Sequence, residues 1–175
     1  MLDRLFRPKP AKQAGDALYA AAAKQARRPD FYTDRGVADT REGRFELYTL
    51  HVILLVDRLK GETGLAGEAR QTLFDRYVMG LDDAFRELGV GDLSVAKRVK
   101  KLGEAFYGRL KAFETALETL PDQAPLAALM TRTVLEDRPG QGDALAAYVV
   151  SARRALSSQS LETLLSGAVT WEVSA

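Results

Sequence analysis

The stretch TREGRFELYTLHVILLVDRLK, residues 40–60, decides the fold. Phe45, Tyr48, Val52, Leu55 and Leu59 recur at helical spacing, and Leu47, Leu50, Ile53 and Leu54 fill the turns between them. A helix that is apolar on most sides belongs inside a protein, so the segment predicts a central buried helix with others packed around it. Asp39 and Glu42 stand at capping-box spacing and mark its start. Its apolar run from Val52 to Val56 breaks at Asp57 and Arg58, far short of the roughly 20 apolar residues a membrane span needs.

Toward the N-terminus, residues 29–38 read as a structured loop pinned to the body by Phe31 and Tyr32. An alanine-rich helix precedes it, from about Gln13 to Arg27, and Pro29 stops it because proline disfavours helix in the residue ahead. Residues 1–12, with Pro8 and Pro10, read as a flexible N-terminus; Leu2, Leu5 and Phe6 among Arg4, Arg7 and Lys9 make too short a pattern for an interfacial anchor or a secretory signal. Toward the C-terminus, a glycine-rich connection, Gly61 to Gly67, leads to a helix from about Glu68 to Leu88, which Gly89 caps. Gly91 and Asp92 turn the chain into a long helix whose stripe of Val95, Val99, Leu102, Phe106, Leu110, Phe113, Leu117 and Leu120 ends at Pro121. Helices at about Leu126 to Leu135 and Asp143 to Leu156, and a short one from Ser160, complete the pattern. No segment alternates as a strand would. The expectation is an all-α protein: a single irregular helical bundle of about six or seven helices over residues 13–175, with Leu54, Leu55, Phe85 and Phe106 buried.

Composition narrows the function. With 25 Lys and Arg against 24 Asp and Glu, the net charge of +1 gives no global attraction to nucleic acid or anionic lipid, so any electrostatic partner must be met by a local patch. The absence of cysteine excludes disulfides and thiol catalysis, and the single His51 excludes a multi-histidine metal site. No catalytic or nucleotide-binding motif is present, and no cofactor is implied. The carboxylates Asp82, Asp83 and Glu87 lie within reach of Arg76 and Arg86 and read as a solvated, ion-paired helix face. His51, within the apolar helix, reads as a hydrogen-bonded core residue.

The densest positive charge is Lys97, Arg98, Lys100 and Lys101, near the start of the long helix, where cations oppose the helix dipole. Two readings stand: a solvated face, or a docking surface for RNA or the ribosome, an anionic membrane surface, or an acidic protein.

Ordered strings across residues 18–113 resemble the ubiquinol-cytochrome c chaperone family. They include LY at 18–19, QAR at 25–27, PDFY at 29–32, GVADT at 36–40, GRFE at 43–46, LH at 50–51, RELGVGDL at 86–93, AKRVKK at 96–101 and AFYGR at 105–109. Ala38 and Ala96 stand where that family often has proline. The resemblance implies a helical, non-enzymatic chaperone of bacterial type that binds newly made cytochrome b and assists its haem acquisition and incorporation into the bc1 complex. It implies a place in the cytoplasm and leaves peripheral contact with the inner membrane open; DNA is not an expected partner. Phe31, Tyr32, Arg44, Tyr107 and Arg109 lie in the matching strings and are the expected client contacts, beside the basic cluster at 97–101. The alternative is a helical RNA- or ribosome-associated module acting through that cluster.

Overall fold

Proline opens the first helix. Pro10 takes the first helical position, where its missing N–H costs nothing and its ring presets the backbone, so α1 (Pro10–Gln25) begins three residues before the alanine run predicts it. The computed structural model describes residues 9–87, 92–138 and 140–172, with side chains outside 84–96. After α1 come α2 (Asp30–Thr33), α3 (Arg41–Arg58), α4 (Gly64–Glu87), α5 (Asp92–Leu117), α6 (Ala124–Thr133), α7 (Gly142–Ser158) and α8 (Leu161–Leu165). All regular structure among the described residues is helical, and the eighth helix is the single turn α2 inside the expected loop. The expected burial of Phe85, the Gly89 cap and the pattern from Leu2 to Arg7 lie outside the described residues or side chains.

The centre of the bundle is α3. Leu47, Val52, Leu54 and Leu55 are fully buried, and each is worth roughly 1.5–3 kcal/mol of hydrophobic stabilisation. The N-cap falls one residue later than the spacing suggests. Thr40, in extended backbone, accepts from the Gly43 N–H at 3.0 Å, whereas the Asp39 carboxylate has turned to the Arg44 guanidinium.

Around α3, α1 lies against α3 and α4, α5 against α4 and α6, and α7 against α3 and α6. The α1–α4 approach is close because position 15 has no side chain: a Cβ on Gly15 would fall on the Thr72 side chain. Polar locks span the same contacts. Arg76 of α4 holds Asp16 of α1, with one oxygen at 2.9 Å; Arg153 of α7 meets Asp57 of α3 at 2.8 Å; and Arg58 donates to the Leu156 and Gln159 carbonyls at 3.0 and 3.2 Å.

Beyond α8 the chain returns as an extended tail. The Gln159 side chain donates to the Thr170 carbonyl at 2.7 Å and accepts from the Thr170 N–H at 2.8 Å, which carries Trp171 into the core.

Candidate functional site

Two aromatic clusters touch α3. In the first, His51 is fully buried, its Nδ1 is 2.8 Å from the Leu47 carbonyl and its Nε2 is 2.7 Å from the Tyr148 hydroxyl. A carbonyl only accepts, so Nδ1 carries the proton and Nε2 accepts from Tyr148, whose oxygen in turn accepts from the Gln25 amide at 3.2 Å. Burial pushes the His51 pKa down to about 4, with the nearby Arg28 and Arg35 adding to the shift and the Leu47 bond opposing it, so the ring is neutral at physiological pH. Phe31 stands edge-on to His51 and Tyr148 at 5.3 and 4.9 Å, and Trp171 stands edge-on to His51 at 4.9 Å. Arg35 covers the outside, 5.1 and 4.7 Å from the Phe31 and Tyr148 ring centres, and bonds Glu172 of the tail at 2.8 Å. His51 is thus the bonded core histidine its apolar surroundings suggest.

The second cluster is open. A groove of about 510 Å³ runs between α1 and α3, with Leu81 of α4 and Leu102 of α5 along its far side. Tyr19, Tyr32, Phe45 and Tyr48 supply its rings, and Ala23 and Ala26 its aliphatic wall. Tyr19 fits because Gly80 leaves space: a Cβ there would stand 2.7 Å from the Tyr19 hydroxyl. The Tyr48 hydroxyl is buried and has no hydrogen-bond partner among the described residues, and burial, with the Tyr19 hydroxyl beside it, pushes its pKa above the ordinary phenol range. Arg27, Arg41 and Arg44 stand at the mouth, with Glu42 the one carboxylate among the described lining residues.

The residues expected to meet a client do not converge. Tyr32 and Arg44 line the groove: the Tyr32 hydroxyl donates to the Ala26 carbonyl at 2.6 Å, and the Arg44 guanidinium lies 5.7 Å from the Tyr32 ring centre. Phe31, one residue from Tyr32, is wholly buried in the first cluster, because a single helical turn aims consecutive side chains about 100° apart. Its ring is therefore withdrawn from any client in this conformation. Arg109 forks onto Glu46 of α3, with Nε at 2.8 Å from one carboxylate oxygen, and ties α5 to α3. Tyr107 is 57% exposed and lies over Phe74 with ring centres 5.2 Å apart, away from the groove lining. Lys97, Arg98, Lys100 and Lys101 are exposed on α5, and Lys100 faces Glu104 at 3.9 Å. Arg98 lies one turn before Leu102, which lines the groove; none of the four cations is among the described lining residues.

Tyr19, Arg27, Arg41, Phe45 and Tyr48 also line the groove, although sequence reasoning gives none of them to a client and reads Phe45 and Tyr48 as part of the buried helix. Tyr19, Arg27 and Phe45 sit inside the matching strings and carried a signal; Arg41 and Tyr48 show only helical periodicity. Among the described residues no three His, Asp or Glu side chains are placed to hold a metal ion. Arg76, expected on the carboxylates of its own helix, is instead committed to Asp16.

The family model described as ubiquinol-cytochrome C chaperone matches residues 33–171. The crystal structure of the Cbp3 homolog from Brucella abortus is similar over 99% of this chain and 97% of that one, at 35% sequence identity and a TM-score of 0.84. No curated protein matches the chain.

Proposed function

The chain belongs to the ubiquinol-cytochrome C chaperone family, and from that premise we propose that it receives newly made cytochrome b in the groove between α1 and α3. There it shields the client and assists its haem acquisition before incorporation into the bc1 complex. The observation that carries this reading is the groove itself: an aromatic and aliphatic floor, a basic mouth, and no convergent acid and base among the described lining residues. Such a surface holds an apolar segment by excluding water and releases it without a bond being made or broken. No described helix is long and apolar enough to cross a membrane, and the reading places the protein in the cytoplasm, at most peripheral to the inner membrane.

Deletion tests the whole reading. Cytochrome b should fall while its message persists, and cytochromes outside the bc1 complex should be spared, because a client without its holder is lost to aggregation and proteolysis. Normal haem-b spectra and bc1 activity in the deletion would remove the proposal. Placement is tested by photocrosslinking: a photoreactive residue at Ala23 should capture newly made cytochrome b, and one at exposed Arg154 on α7 should not.

The exposed cluster Lys97, Arg98, Lys100 and Lys101 favours an additional role in docking an anionic surface, of ribosome or membrane. Replacing all four with glutamine should weaken retention there and flatten its salt dependence while leaving the fold intact. Unchanged retention on ribosomes, membranes and client alike would leave the cluster as a solvated face.

A further inference from the structure

We propose that the segment received by the groove is amphipathic and acidic, with an apolar face on the rings and carboxylates meeting the arginines at the mouth. The inference rests on the groove being the client site, and charge carries it. Arg27 and Arg41 are exposed and neither forms an ion pair with a described residue, while Arg44 is shared with Asp39. Among the described lining residues, Glu42 is the one carboxylate that opposes them. An uncharged or basic segment would leave these guanidinium groups half-desolvated without return, whereas carboxylates at helical spacing would meet them in forked pairs.

The shape selects among anionic partners. A bilayer surface is flat at this scale and does not follow the wall down to Ala23 and Ala26. RNA bases need free ring faces on which to stack, and these rings already have neighbours: Tyr19 meets Tyr48 edge-on at 5.8 Å, Tyr48 lies tilted on Tyr77 at 5.7 Å, Phe45 stacks on Tyr77 at 6.5 Å, and the Arg44 guanidinium stands 5.7 Å from the Tyr32 ring centre. What remains is a slot walled by alanine and leucine, which suits alkyl and aromatic side chains projecting from one face of a helix.

Two synthetic amphipathic helices test this, identical on their leucine and phenylalanine face and flanked by glutamates in one and by glutamines in the other. The wild-type protein should bind the glutamate peptide about 10-fold more tightly, the scale of two or three charge pairs at an interface rim. Arg27→Gln with Arg41→Gln, both on exposed side chains, should bring that ratio to about 2-fold or less. Ala23→Leu, which fills the groove, should weaken both peptides alike; Leu81→Gln serves the same end if the filled variant unfolds at lower temperature. Equal binding of the two peptides, still lost on filling the groove, would overturn the acidic segment and leave the client site standing. Binding of both peptides that is indifferent to the filling variants would overturn the site and this inference together. If instead the peptides fail to bind, and vesicles of phosphatidylcholine and phosphatidylglycerol or an oligouridine bind in a manner lost with Arg27 and Arg41, the inference falls in favour of that partner.

Discussion

The two aromatic clusters beside α3 are built from similar residues and end in opposite states. Around His51 one chain of hydrogen bonds runs from the Gln25 amide through Tyr148 and the imidazole to the Leu47 carbonyl, and α2 and the C-terminal tail close over it. Around Tyr48 a hydroxyl lies buried without a partner among the described residues, and the space beside it stays open. Ring content alone does not separate a core from a binding surface. The difference is whether another piece of chain covers the rings, and the first cluster has two such pieces, anchored through Arg35 to Asp30 and Glu172.

The comparison breaks most sharply at Phe31. If its ring is a core element, Phe31→Ala should cost about 3–5 kcal/mol in chemical denaturation; a near-neutral result that nevertheless abolished client binding would move it to the open side. Next is Tyr148→Phe. It strips the donor from His51 Nε2 and the acceptor from Gln25, and should cost about 2–3 kcal/mol by thermal or denaturant unfolding, with client binding retained in the folded fraction.

Acid should find the same weakness. The folded pKa of His51 is depressed to about 4 from the ordinary histidine value of 6.5, so the unfolded chain binds the extra proton and stability falls as pH drops from 6.5 toward 4. Between pH 7 and pH 5 that loss should be about 2 kcal/mol, and His51→Gln should remove this part of the slope, as read from unfolding curves at the two pH values. The smallest effect belongs to the open side: Tyr48→Phe removes a hydroxyl that bonds nothing described, and should change stability by about 0.5 kcal/mol or less, in either direction. A large loss there would mean that the hydroxyl has a partner and that the two clusters are alike.

Much of this fold was legible in the sequence, because α3, α5 and α7 carry long stripes at helical period. Leu54, Leu55 and Phe106 lie buried where the stripes put them. Helix ends were less so: Asp39 and Thr40 both cap well, and only the reach of the Arg44 guanidinium frees the cap position for Thr40. The site was legible in part. Periodicity says that a residue faces inward but not what covers it, so Phe31 and Tyr32, adjacent and both aromatic, could not be told apart. Arg109 read as a client contact because Glu46, which holds it, stands 63 positions away. The groove exists only where α1 and α3 meet Leu81 and Leu102, an encounter that no local pattern encodes.

The tail that delivers Trp171 to His51 also gives the protein a built-in light source. It is the chain's single tryptophan, 6% exposed, with its ring centre 4.9 Å from the imidazole. Its emission should therefore be that of an indole shielded from water, shifting toward the red when the tail detaches. An imidazolium accepts an electron from excited indole far more readily than neutral imidazole does, so protonation of His51 should dim that emission before the helices melt. The groove, built from tyrosines and phenylalanine, contributes nothing at those wavelengths. Fluorescence excited at the red edge of indole absorption would thus follow the closed side of the molecule alone, as long as the open side holds a segment that carries neither tryptophan nor haem.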